Sequence, residues 1–74
     1  MLTLYGTQGC HLCDEAEVML RAASAARPLE WRYVDIALDD ALVERYGEQI
    51  PVLLTSGGQE LRWPFSLLDI LPLA

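Results

Sequence analysis

A chain of 74 residues with a formal net charge of −6, 53% hydrophobic and 22% charged, fits one globular domain over residues 1–74 and is too apolar for disorder. Its five bases are all arginine and lie apart at Arg21, Arg27, Arg32, Arg45 and Arg62, which excludes a basic stripe for nucleic acid; the acidic balance also disfavours anionic membranes. No run approaches ~18 uninterrupted apolar residues and no basic-then-apolar leader opens the chain, so no membrane partner and a cytoplasmic location are expected.

The first element is LTLY (residues 2–5), which alternates apolar and polar and then meets Gly6: a short strand. From about residue 11 to 26 the period changes. Leu12, Ala16, Met19, Leu20 and Ala23 recur at steps of three and four, the mark of one helix face. Asp14, Glu15 and Glu17 crowd the first turns, which suits the helix dipole, and Glu17–Arg21 is a favourable i,i+4 pair. Pro28 ends the helix, because the residue before a proline is pushed out of the helical region.

LEWRYVDI (residues 29–36) alternates at Leu29, Trp31 and Tyr33 and reads as a second strand. Strand, long helix, strand is a βαβ unit, so these two strands should run parallel. DDALVERYG (residues 39–47) is a shorter helix with Asp39 as N-cap and Gly47 as a left-handed C-cap. IPVLL (residues 50–54) and ELRW (residues 60–63) flank a Gly-Gly turn, a hairpin signal. SLLDI (residues 66–70) has the S-x-x-D pattern that opens a helix, which Pro72 keeps short. The order is β-α-β-α-β-β-α, an α/β domain. So small a domain has a stability margin of only ~3–5 kcal/mol.

The chemistry concentrates in GCHLCDEAE (residues 9–17), which holds both cysteines, Cys10 and Cys13, and the single histidine, His11. A reducing cytoplasm makes C-x-x-C catalytic or metal-binding before it makes it a structural disulfide. Three readings stand. Cys10 falls at the helix start, where free N–H groups and the dipole favour a thiolate, and Cys13 one turn later can resolve a mixed disulfide. Alternatively, both are small apolar residues packed in a core. A structural zinc site needs four ligands, which these three side chains do not supply alone, so no metal is expected. His11 can favour the thiolate as imidazolium, while Asp14 and Glu15 oppose it. On local grounds Ile50-Pro51 is simply a trans proline opening a strand, since only ~5–6% of such bonds are cis.

Taken together, C-x-x-C after a first strand, the element order and X-Pro opening the third strand resemble the thioredoxin fold. LYGTQGCHLCDEAE, VDI, RYGEQIPVLL and LRWPFS resemble the small bacterial glutaredoxin-like proteins over nearly the whole chain. The resemblance implies a four-stranded mixed sheet, Cys10 as nucleophile, Cys13 as resolving thiol and Pro51 as a cis-proline facing them. It also implies that the Ile50 backbone pairs with a bound peptide or glutathione, with both its N–H and C=O free to do so, and that His11, Trp63 and Ser66 lie in the substrate region. This chain departs from glutaredoxins in three places. His11-Leu12 replaces Pro-Tyr between the cysteines, no lysine precedes the motif, and Trp63-Pro64-Phe65-Ser66 replaces the Gly-Gly-x-Asp turn that receives glutathione. Ser66 is left as a free helix N-terminus that can take an anion. Disulfide chemistry therefore carries over, glutathione dependence does not, and no tightly bound cofactor is expected. The leading expectation is a monomeric dithiol–disulfide oxidoreductase. Its partners are a protein or small-molecule disulfide and a reductase or glutathione. A non-catalytic binding module and a glutathione-ligated iron–sulfur carrier are the rivals.

Overall fold

The computed structural model describes residues 1–73. Its strands are β1 (Leu2–Gly6), β2 (Trp31–Asp35), β3 (Val52–Leu54) and β4 (Glu60–Arg62), in the sheet order β2-β1-β3-β4. Its helices are α1 (His11–Ala26), α2 (Asp40–Tyr46) and α3 (Leu67–Ile70). β1 and β2 pair in parallel across the α1 crossover, while β1–β3 and β3–β4 are antiparallel. This is the mixed four-stranded α/β arrangement of the thioredoxin-like fold.

The side-chain alternation of β1 divides the interior in two. Leu2 and Leu4 face α1 and α3, where they pack with Ala16, Leu20, Ala23, Leu53, Phe65 and Ile70. Leu4, Leu20, Leu53 and Ile70 are fully buried, each contributing about 1.5–3 kcal/mol of hydrophobic stabilisation. On the other face Ile36, Tyr46 and Val52 make a smaller cluster under α2, with Tyr5, Leu42 and Ile50 at its margin. Leu29, Trp31 and Tyr33 of the alternating β2 stretch all pack against the larger core, as their spacing predicts.

Several boundaries shift for identifiable reasons. Leu12 is 43% exposed; the inner stripe of α1 is Cys13, Ala16, Leu20 and Ala23. One residue is about 100° of helix, so with Cys13 inward Leu12 must face out. β2 stops at Asp35 because the Asp35 carboxylate accepts a hydrogen bond from the Ala37 N–H and turns the chain into a 3-10 segment, Ile36–Leu38. Gly47 is not left-handed: at φ −48° and ψ −38° it continues the helical path. A Cβ there would stand 2.5 Å from the Val43 carbonyl oxygen, so glycine answers a close approach. The expected cap at Asp39 forms, its carboxylate accepting from the Ala41 N–H. The expected Glu17–Arg21 pair closes at 2.8 Å.

Candidate redox site

Residues 7–9 carry the chain from β1 into α1, and Gly9 makes the turn with φ +78°, a conformation that side-chain-bearing residues rarely adopt. Cys10 is therefore the N-cap of α1, and the Cys13 N–H donates to its Sγ at 3.2 Å. The two cysteines form a disulfide with a Cα–Cα separation of 5.2 Å. They are not equivalent. Cys10 is partly exposed at the rim, whereas Cys13 is 0% exposed and lies in the inner stripe of α1. A thiolate on Cys10 would sit on the helix N-terminus, with an N–H already aimed at the sulfur. A thiolate on Cys13 would be buried, at a cost unless a donor reaches it.

The neighbours predicted from the sequence are arranged unevenly. His11 is 86% exposed and turns toward Glu15, 3.8 Å away, rather than toward Cys10. Ile50–Pro51 is cis, and Pro51 is fully buried. The ladder registers Tyr5↔Val52 and Val52↔Arg62, run on by one residue, bring Gly6, Pro51 and Trp63 side by side across one end of the sheet, next to the start of α1. Trp63 is half-buried and meets Phe65 edge-to-face with centroids 5.1 Å apart. The Trp63–Pro64 bond is also cis, which nothing in the local sequence announced.

Two expectations are corrected. The Ile50 backbone does not leave both groups open: its N–H donates to the Tyr46 carbonyl at 3.2 Å, because the chain after α2 makes one more helical turn. The N-terminus of α3 is not a free anion site either. Asp69 reaches back as in a capping box, accepting from the Ser66 N–H at 2.9 Å and from the Ser66 hydroxyl at 3.2 Å. The chain's own carboxylate takes up the Ser66 N–H and hydroxyl at this end of the helix.

Sequence reasoning missed Tyr33. A Cβ built on Gly6 would lie 2.6 Å from the Tyr33 hydroxyl, 3.0 Å from the Cys13 Cβ and 3.1 Å from the Cys13 Sγ. Gly6 thus leaves a gap that the phenol end of Tyr33 fills beside the buried sulfur. A glycine within a strand pattern signals such an approach, though not by which side chain. Burial, and then the carboxylates of Asp35, Glu17 and Asp14, push the Tyr33 phenol above its ordinary value of 10.0. Among the described residues no group of three His, Cys, Asp or Glu side chains is placed to hold a metal ion, and no helix is long and apolar enough to cross a membrane.

The family model of the Glutaredoxin-like domain (DUF836) matches residues 1–71. The chain belongs to that family. Among solved structures it is similar to the structural-genomics target XcR50 from X. campestris. The X-ray structure of that protein is 40% identical, with a TM-score of 0.83, and the match covers 97% of this chain and 92% of that one. Its solution structure matches at 41% identity and a TM-score of 0.78, over 96% and 87% of the two chains. Protein Ne2328 from Nitrosomonas europaea is 30% identical, with a TM-score of 0.72, over 86% of this chain and 78% of that one. No curated protein matches the chain. A glutaredoxin-like domain whose paired cysteines stand at disulfide distance fits a thiol–disulfide redox role.

Proposed function

We propose that this glutaredoxin-like domain is a cytoplasmic dithiol–disulfide oxidoreductase with Cys10 as nucleophile and Cys13 as resolving thiol. The observation that carries the reading is the asymmetry of the pair: a rim cysteine that caps α1 and receives a backbone N–H, bonded to a fully buried partner one turn on. The Cys10 thiolate attacks a substrate disulfide R–S–S–R′, forming a Cys10–S–S–R mixed disulfide and releasing R′S⁻. The Cys13 thiolate then attacks the Cys10 sulfur, expels RS⁻ and closes the Cys10–Cys13 disulfide. The substrate has gained two electrons, and a thiol reductant must return them to the pair. The Ile50 carbonyl and Trp63, held on either side of the buried Pro51, are the surface on which an extended substrate rests, with His11 at its rim. Pairing to the substrate backbone there uses the Ile50 carbonyl alone, since its N–H is engaged.

Glutathione is a poor direct reductant in this reading. The chain has no lysine, the Gly-Gly-x-Asp turn is absent, and Asp69 occupies the α3 N-terminus beside Ser66. The test uses two variants with a small-molecule disulfide as substrate. Cys13→Ser should accumulate a mixed disulfide on Cys10, visible by mass. Cys10→Ser should lose turnover by on the order of 10³-fold or more. Wild-type turnover should be brisk with dithiothreitol and weak with glutathione. A Cys13→Ser protein that traps nothing overturns the oxidoreductase reading, and ordinary saturation by glutathione overturns the reductant assignment.

A further inference from the structure

The oxidoreductase reading leaves one chemical need unmet. When an external thiolate opens the disulfide at the accessible Cys10 sulfur, Cys13 is the leaving group, and its negative charge appears on an atom shut off from water. Leaving-group acidity governs the rate of such exchange. The helix N-terminus does not serve this sulfur, because the Cys13 N–H points at Cys10. Burial without a donor disfavours a thiolate.

The group in position is the Tyr33 hydroxyl. It and the Cys13 Sγ border the same space beside Gly6, 2.6 and 3.1 Å from where a Cβ would stand. Tyr33 sits on β2, which pairs with β1 with Leu4 opposite Tyr33 and Gly6 opposite Asp35. Its ring packs against the larger core, so the hydroxyl is held rather than free to wander. In the disulfide form the hydroxyl has no hydrogen-bond partner among the described residues, and the sulfur of a disulfide asks little of a donor. A thiolate there asks for one.

We propose that the Tyr33 hydroxyl is the hydrogen-bond donor that receives the Cys13 thiolate as the disulfide opens, and that Gly6 exists to let the two meet. The step balances. RS⁻ attacks the Cys10 sulfur, the Cys10–Cys13 bond breaks and RS–S–Cys10 forms. The electron pair of the broken bond goes to the Cys13 sulfur, which accepts the phenol O–H hydrogen bond. The reductant is a thiol, dithiothreitol in the test. Burial, and then the acidic neighbours Asp35, Glu17 and Asp14, favour the protonated phenol, which is the form able to donate. The same bond acts in reverse. It keeps part of the Cys13 population as thiolate, ready to attack a mixed disulfide on Cys10. The proposal deepens the oxidoreductase reading and rests on it.

The test is Tyr33→Phe in the full chain, which removes one oxygen and keeps the ring. Opening of the Cys10–Cys13 disulfide by excess dithiothreitol, followed by quenched alkylation and mass, should slow by roughly 3- to 10-fold, the span of one hydrogen bond to a charged or developing-charge sulfur. In a Cys10→Ser background the Cys13 thiolate, followed by its ultraviolet absorbance, should become less acidic by a comparable factor. Packing alone would not move that titration. A third measurement guards against misfolding of the variant: in the reduced wild-type protein the Tyr33 ring resonances should shift with the ionisation of Cys13. Opening within twofold of wild type, or Tyr33 resonances blind to Cys13, overturns the proposal. These outcomes stand apart from the oxidoreductase reading, which fails only if the Cys13→Ser protein traps no mixed disulfide.

Discussion

Tyr33 and Tyr46 lie on opposite faces of the same sheet, and the contrast between them separates structure from chemistry. Tyr46, 4% exposed, has every interaction filled. Its hydroxyl donates to the Glu60 carboxylate, its ring stacks on Tyr5 with centroids 4.7 Å apart, and Arg45 lies over the ring at 5.3 Å while reaching Glu60 at 3.6 Å. That set of contacts ties α2 to β4 and β1. Tyr33 has a packed ring and an unpartnered hydroxyl aimed beside the one buried sulfur. A satisfied buried polar group makes a fold specific. A partly exposed hydroxyl with no protein partner, next to a reacting atom, marks where charge can be received.

The largest test of this contrast is on the Tyr46 side. Tyr46→Ala empties the smaller core and should cost about 3–5 kcal/mol, comparable to the whole stability of so small a domain. Thermal or urea unfolding reads it directly. Tyr46→Phe keeps the ring and should cost about 1 kcal/mol, with the Cys10–Cys13 exchange chemistry unchanged. The Tyr46 phenol is raised above 10.0, chiefly by its hydrogen bond to Glu60 and then by burial. A raised folded-state value means that this stabilisation is fully present below about pH 10 and is lost as the pH climbs through the folded-state value. Wild-type unfolding midpoints should therefore lose this contribution only as the pH rises above about 10, and Tyr46→Phe should flatten that fall. A Tyr46→Phe protein with wild-type stability, or with slowed disulfide opening, would dissolve the distinction between the two tyrosines.

The smallest effect lies at the motif's own histidine. His11 is 86% exposed and paired only with an exposed Glu15. Exposed pairs of this kind are worth ~0–1 kcal/mol. His11→Ala should change the rate of Cys10 alkylation by less than about threefold. A much larger drop would mean that the imidazole, not the helix N-terminus, activates the nucleophile.

Much of this was legible in the chain and some was not, for physical reasons. Periodicity marked α1 to the residue at both ends, because Cys10 caps one end and Pro28 closes the other. The parallel β1–β2 pair followed from the long helix between them. The cis bond before Pro51 followed from the resemblance and not from local preference. What escaped were contacts between residues far apart in sequence. No pattern near Tyr33 says that its hydroxyl reaches the gap above Gly6. No pattern near Ile50 says that its N–H folds back on Tyr46. Asp69 was visible as half of a capping box, yet its consequence, a carboxylate holding both the Ser66 N–H and its hydroxyl, needed the geometry.

The central claim is that α1 activates Cys10 and hides Cys13. Limiting iodoacetamide added to the fully reduced protein, from about pH 5 to about pH 8, with the modified residue located by mass, tests it most directly. The account predicts that Cys10 is labelled first at every pH, with a midpoint well below the ordinary thiol value of ~8.5. Equal labelling of Cys10 and Cys13 at that ordinary midpoint would contradict it.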